Sequence, residues 1–240
     1  MDIRDYACEG LAVSQDGAVA TARLDRPNGN PMSMAVCGAL AHLLGSPPEG
    51  AHVLVIAAAG PQFCMGRDRG ASDPGGLMGE AEALIGLNQA LERTRLVTVA
   101  RVQGHAAGFG AGLAALCDVA VAVRGAQFSF PEARINLAPA VVLGWLPRIV
   151  GRRAAFWLTA TAEPVEGDDL VRLGLVNEVV EDEAGLDQAV RRRVEALLAV
   201  KPRVHAEIRA MLRDFEVVPS DKVYAMAGAR LVVGSQRRAE

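Results

Sequence analysis

Between Gly104 and Pro139 the chain carries a glycine-dense turn, Gly104-His105-Ala106-Ala107-Gly108-Phe109-Gly110-Ala111-Gly112, and behind it a lone acid in Phe130-Pro131-Glu132. The turn opens onto a short apolar run, Leu113 to Cys117, that reads as a helix. Backbone N–H groups at a helix start have no partner within the helix and are ready donors to a developing negative charge. Glu132 follows a proline in an apolar segment, and partial burial by Phe128, Phe130 and Ile135 would raise its pKa toward a range useful for a base. Donors for an oxyanion and a base for a proton are the two parts needed for chemistry beside a carbonyl group.

Other readings of these residues are weaker. Gly110 to Ala115 satisfies Gly-x-Gly-x-x-Ala after an apolar strand, the pattern of a dinucleotide site. Its spacing argues against that, because Asp118 begins the next strand too soon for a crossover helix, and Glu132 follows Phe-Pro instead of closing a strand. His105 reads as a helix-entry histidine hydrogen-bonded to backbone, and Asp118 as a structural residue at a helix-to-strand junction. Cys8, Cys37, Cys64 and Cys117 show no Cys-x-x-Cys or Cys/His spacing, so neither a metal site nor a disulfide framework is expected. A net charge of −3 and a pI of about 5.9 give no electrostatic footprint for nucleic acid. With no basic-plus-apolar leader and no long apolar run, a cytoplasmic protein without membrane contact is expected.

The elements that must position these groups follow from pattern. Leu11–Val13 and Ala18–Leu24 flank an Asp-Gly turn and predict a hairpin. Ser33 is placed to cap a helix through Leu44, and 52–57 is a continuous apolar strand, buried on both faces if parallel. Residues 70–79 read as a loose, glycine-rich loop before a helix from Glu80 to Arg95. Strands at 97–102 and 119–123 bracket the glycine turn. After Pro139 helices are expected near 141–150, 152–159, 167–173, 186–200 and 202–215, with a short strand at 175–180. Strands regularly spaced by helices indicate an α/β fold.

Four segments in order resemble the enoyl-CoA hydratase/isomerase (crotonase) superfamily: Leu24-Asp25-Arg26-Pro27 with Asn30; Gln62-Phe63-Cys64-Met65-Gly66-Arg67-Asp68; Gly108-Phe109-Gly110 through Cys117-Asp118 to Phe128-Ser129-Phe130-Pro131-Glu132 and Pro139; and Gly151-Arg152-Arg153-Ala154 through Gly174 to Val180. The resemblance covers roughly residues 10 to 200. It implies a ββα spiral of two near-perpendicular sheets surrounded by helices, with a C-terminal helical region. Residues 1–195 would form the spiral core, and 196–240 a helical region packing at the interface of a trimer or hexamer.

The resemblance also implies an acyl-CoA thioester substrate, with coenzyme A entering only as part of that substrate and no separate cofactor or metal. The backbone N–H groups of Arg67 and Gly110 would form the oxyanion hole and Glu132 would be the catalytic base. Arg26, Asn28, Met65, Gly66, Asp68 and Gly108 would lie along the CoA or substrate. The Arg67 side chain either reaches a CoA phosphate or stays solvated; Trp145 is either core or, with Leu143, acyl-pocket lining. Hydratases of this family use two glutamates, and Gly112 stands where the first would be. The expected activity is therefore single-glutamate enoyl-CoA isomerisation in lipid metabolism. The alternatives are enoyl-CoA hydration, another crotonase-type hydrolysis, or a catalytically impaired CoA-binding homologue.

Overall fold

The Asp16-Gly17 turn, with Gly17 at φ 54°, joins β1 (Leu11–Asp16) to β2 (Val19–Leu24), which pair antiparallel. The structure is a computed structural model that describes residues 3–217, 222–224, 226–228, 230 and 231. Ser33 caps α1 (Met34–Gly45) by accepting from the Val36 N–H. The apolar run that follows is β3 (Val53–Ala58), buried at every position and parallel to β2. From there a long strand, a short strand and a helix recur. β4 (Gln62–Cys64) and α2 (Pro74–Arg93) follow β3. The next turn is β5 (Val97–Val102), β6 (His105–Ala107) and α3 (Phe109–Ala115). The third is β7 (Val119–Val123), β8 (Gln127–Ser129), a 3-10 turn at Pro131–Ile135, α4 (Ala140–Leu143) and α5 (Leu146–Thr161). β9 (Val165–Glu166), α6 (Asp168–Arg172), β10 (Glu178–Val180) and α7 (Glu183–Leu198) close the series.

The long strands build one sheet in the order β1-β2-β3-β5-β7-β10, and the short ones a second in the order β4-β6-β8-β9. This is the ββα spiral of two sheets that the resemblance implied. The middle of the large sheet is covered on both faces, so β3 is apolar at every position, whereas β1 and β2 at its edge alternate buried and open positions. Val53, Val55, Val97, Val99 and Val121 pack against Leu186, Ala189 and Val190 of α7. Their neighbours Leu54, Ile56, Ala100 and Ala122 point the other way, into the main core with Phe63, Leu87 and Phe128.

Three expectations change. The helix expected from Glu80 begins at Pro74, because the Asp73 carboxylate accepts from the Gly75 and Gly76 N–H groups and Pro74 fits the first helical position. The short strands of the second sheet lie inside segments read as turns. The helix expected over 141–150 is divided between α4 and the start of α5, while Gly151, at φ 76° and ψ 158°, breaks α5 where a boundary was expected. The chain divides into two compact units, Met1–Ala199 and Val200–Glu240, and α7 runs to Leu198 at the end of the first. Within the second unit α8 (Pro202–Val217) carries an Arg203–Glu207 pair at 2.8 Å.

Asp118 is structural, as read. Its Oδ2 accepts from the Thr98 N–H at 2.7 Å and the Thr98 hydroxyl at 2.9 Å, pinning β5 to the start of β7. Asp118→Ala leaves the buried Thr98 N–H without this acceptor and is expected to lower stability by about 2 kcal/mol. A urea titration measures it, and an unchanged midpoint would remove this role.

Candidate active site

A cavity of about 210 Å³ lies between the end of β4, the glycine turn and α4. Met65, Gly66, Arg67, Gly108 and Glu132, all expected at the site, line it. Ala81, Leu84, Leu137, Pro139, Val141 and Val142 give it an apolar wall, and Arg69 stands at its edge.

The residues after β4 are held on one side by the loop before α1. Met65 N–H donates to Gly29 O at 2.8 Å, Met32 N–H to Gly66 O at 2.8 Å, and Asp68 N–H to Met32 O at 2.9 Å. This bridge places Arg67 parallel to Met32 and turns the Arg67 N–H away from that loop. On the other side the glycine turn approaches closely. A Cβ on Gly66, which has φ 101°, would stand 3.2 Å from Ala107 O, and one on Gly110 would stand 2.0 Å from Cys64 O. Gly108, at φ 50°, is the N-cap of α3, so the Phe109 N–H is the first of that helix without an internal acceptor.

Glu132 sits in the 3-10 turn between Phe130 and the left-handed Asn136. The Arg134 guanidinium anchors this turn by donating to Ala162 O at 2.9 Å. A Cβ on Gly108 would meet Glu132 Oε1 at 2.6 Å, so the carboxylate rests against the bare Cα of the turn. Oε2 is buried and has no hydrogen-bond partner. Burial pushes the Glu132 pKa above the usual glutamate value, partly offset by its own N–H and by the charges of Arg69 and Arg67.

The other expected residues lie elsewhere. Arg26 and Asp68 pair with each other at 2.9 Å, and Arg26 also donates to Pro31 O, so both are committed to the loop and neither lines the cavity. Asn28 is left-handed at φ 63° in that loop and is likewise absent from the lining. Gly110 lies behind the wall, against Cys64, while Phe109 forms the wall. Trp145 is buried, with its ring 6.1 Å from that of Phe130, and contributes nothing to the cavity surface. The Arg67 guanidinium, 30% exposed, pairs with Glu80 at 2.6 Å. His105 accepts from the Gln127 N–H through Nδ1, as a histidine bonded to backbone should, but from within β6.

Glu80 was not foreseen. It is buried, and its Oε1 accepts from the Gly70 and Ala71 N–H groups at 3.0 and 2.7 Å while Oε2 holds Arg67. One carboxylate thus ties the loop after Arg67 to α2. An acid on the apolar side of a helix was the available signal.

A ββα spiral that sets a half-buried carboxylate against a glycine turn at one apolar cavity defines an enzyme of the crotonase fold. The profile described as Enoyl-CoA hydratase/isomerase matches residues 14–227, and the chain belongs to that family. It is 29% identical over 215 residues to the enoyl-CoA hydratase ACTT6 of Alternaria alternata, covering 88% of this chain and 72% of that one. The solved enoyl-CoA hydratase of Mycobacterium smegmatis superimposes with a TM-score of 0.88 at 31% identity, covering 94% of this chain and 90% of that one. A Thermobifida fusca YX structure in complex with CoA gives a TM-score of 0.86 at 26% identity, covering 100% and 98%. Among the described residues no helix is long and apolar enough to cross a membrane, and no three His, Cys, Asp or Glu side chains group as a metal site.

Two outcomes follow. Glu80→Ala strands the Arg67 charge and two loop N–H groups, and is expected to cost about 2–3 kcal/mol in a urea titration; an unchanged stability would contradict the latch. Because burial raises the Glu132 pKa above its unfolded value, this group favours the fold most when protonated and loses that contribution as pH rises through the folded pKa. Glu132→Gln is therefore expected to be more stable than wild type at neutral pH, with the gap closing below the ~4.3 of an unfolded glutamate. Urea midpoints across that range test the sign; a less stable variant at neutral pH would reverse it.

Proposed function

We propose that the protein is a CoA-thioester isomerase in which Glu132 alone carries the proton between two carbons. The observation that carries this reading is a single unpartnered carboxylate at an apolar cavity, with glycine at the second-acid position, Gly112. The complex of the Thermobifida relative with CoA supports a CoA thioester as the substrate. The carboxylate of Glu132 takes a proton from C2 of a 3-enoyl thioester. The electron pair moves onto the thioester oxygen as an enolate, which the Arg67 N–H and the first N–H of α3 would hold. Phe109 takes the part expected of Gly110, because Phe109 lines the cavity and Gly110 does not. Each such donor contributes about 2.7–4 kcal/mol at the transition state. The enolate collapses to the 2-enoyl product as Glu132 returns its proton to C4. A raised pKa suits both halves of this cycle, since the group must accept and release one proton near neutral pH.

Hydration is the second reading, favoured by the enoyl-CoA hydratase names of the relatives. It needs water held beside Glu132 and a second group to orient it. The exposed Phe156 and Trp157 on α5 support the expected homo-oligomer, since apolar rings on an open helix face suit burial against another copy.

Purified protein supplied separately with 3-enoyl-CoA and 2-enoyl-CoA separates the two. Isomerisation is expected, with kcat lowered by about 10²–10⁴-fold in folded Glu132→Gln. Strong hydration without isomerisation would overturn the proposal.

A further inference from the structure

Gly112 lies in α3 but does not reach the cavity surface. A Cβ added there would stand 2.8 Å from Trp145 Cζ2, 3.2 Å from Cε2 and 3.3 Å from Nε1. The indole therefore lies directly on the bare glycine, and the missing side chain leaves no hole for water. Trp145 is 3% exposed and precedes α5. Its ring also packs at a tilt on Phe130, two residues before Glu132.

Trp145 also lines a second, more open cavity of about 340 Å³, bordered by Asn88, Gln89, Glu92 and Arg148. This second cavity shares Ala140 and Val141 with the catalytic one. The short helix α4 and the Trp145 indole are thus the partition between a solvent-open pocket and the helix behind the catalytic turn.

We propose that Trp145 is a specificity-determining residue that seals the Gly112 face of the site against water, so that the enolate formed there is protonated only by Glu132. Gly112 and Trp145 form a matched pair: any side chain at 112 collides with the indole, and removal of the indole joins the side pocket to α3. The effect on product choice rests on the isomerase reading above, whereas the sealing does not.

The test compares wild type, Gly112→Glu, Trp145→Ala and the double variant for urea stability, isomerisation of 3-enoyl-CoA and hydration of 2-enoyl-CoA. Gly112→Glu alone is expected to be destabilised and to gain no hydration. The double variant is expected to recover stability relative to that single change and to hydrate about 100-fold faster than wild type. A Gly112→Glu protein as stable as wild type, or a folded double variant with no gain in hydration, overturns the sealing. Wild type that fails to isomerise beside a double variant that gains hydration sinks the isomerase reading and leaves the sealing intact. Trp145→Leu serves if the larger changes prevent folding. In deuterium oxide its 2-enoyl product should carry several-fold more solvent deuterium at C4 than the wild-type product. A merely structural loss would slow turnover without changing that fraction, and an unchanged fraction counts against the proposal.

Discussion

The site depends on two stretches of backbone approaching with nothing between them. A Cβ on Gly104 would fall 1.9 Å from Pro61 O, and one on Gly110 would fall 2.0 Å from Cys64 O. No side chain fits at either place, so the segments entering and leaving β4 and β6 lie against each other as main chain. That contact brings the residue after Gly66 and the first turn of α3 to one cavity wall, although they are distant in sequence. Glycine in ordered segments costs roughly 0.5–1 kcal/mol each relative to alanine, and close approach is what the fold obtains in return. Gly108 extends the same logic to Glu132, whose carboxylate occupies the volume a Cβ would take.

Around this contact the charges are distributed unequally. Glu80 is buried and fully engaged, with two N–H donors and the Arg67 guanidinium. Glu132 is half-buried and has one oxygen with no partner at all. A satisfied buried carboxylate holds structure, whereas an unsatisfied one is held at a raised pKa and is available to a proton. The two acids differ in surroundings, and that difference ties one to the loop and leaves the other open to a proton.

The sequence was informative where one residue dictates local geometry. Asp16-Gly17 gave the hairpin, Ser33 the start of α1, and the apolar runs the parallel strands of the large sheet. Glu132 was legible as an isolated acid behind a proline, whereas Gly66 and Arg67 were legible only through the resemblance carried by Gln62 to Asp68. The second sheet was not legible, because strands of three residues such as β4 and β6 have no periodicity to read. The start of α2 was hidden by Gly75, Gly76 and Gly79, which outweighed the Asp73-Pro74 signal. The Arg26–Asp68 and Arg67–Glu80 pairs join residues 42 and 13 positions apart, and nothing local announces them. The cover that Trp145 places over Gly112 is equally a product of tertiary folding.

The central claim is that a thioester oxygen sits between the Arg67 and Phe109 N–H groups with its α-carbon beneath Glu132. A crystal structure with a bound 3-enoyl-CoA analogue measures this directly. The account predicts the oxygen within about 3 Å of both nitrogens and a Glu132 oxygen within about 3.5 Å of the α-carbon. A thioester oxygen bonded elsewhere, or Glu132 turned away from the α-carbon toward an ordered water, would contradict it.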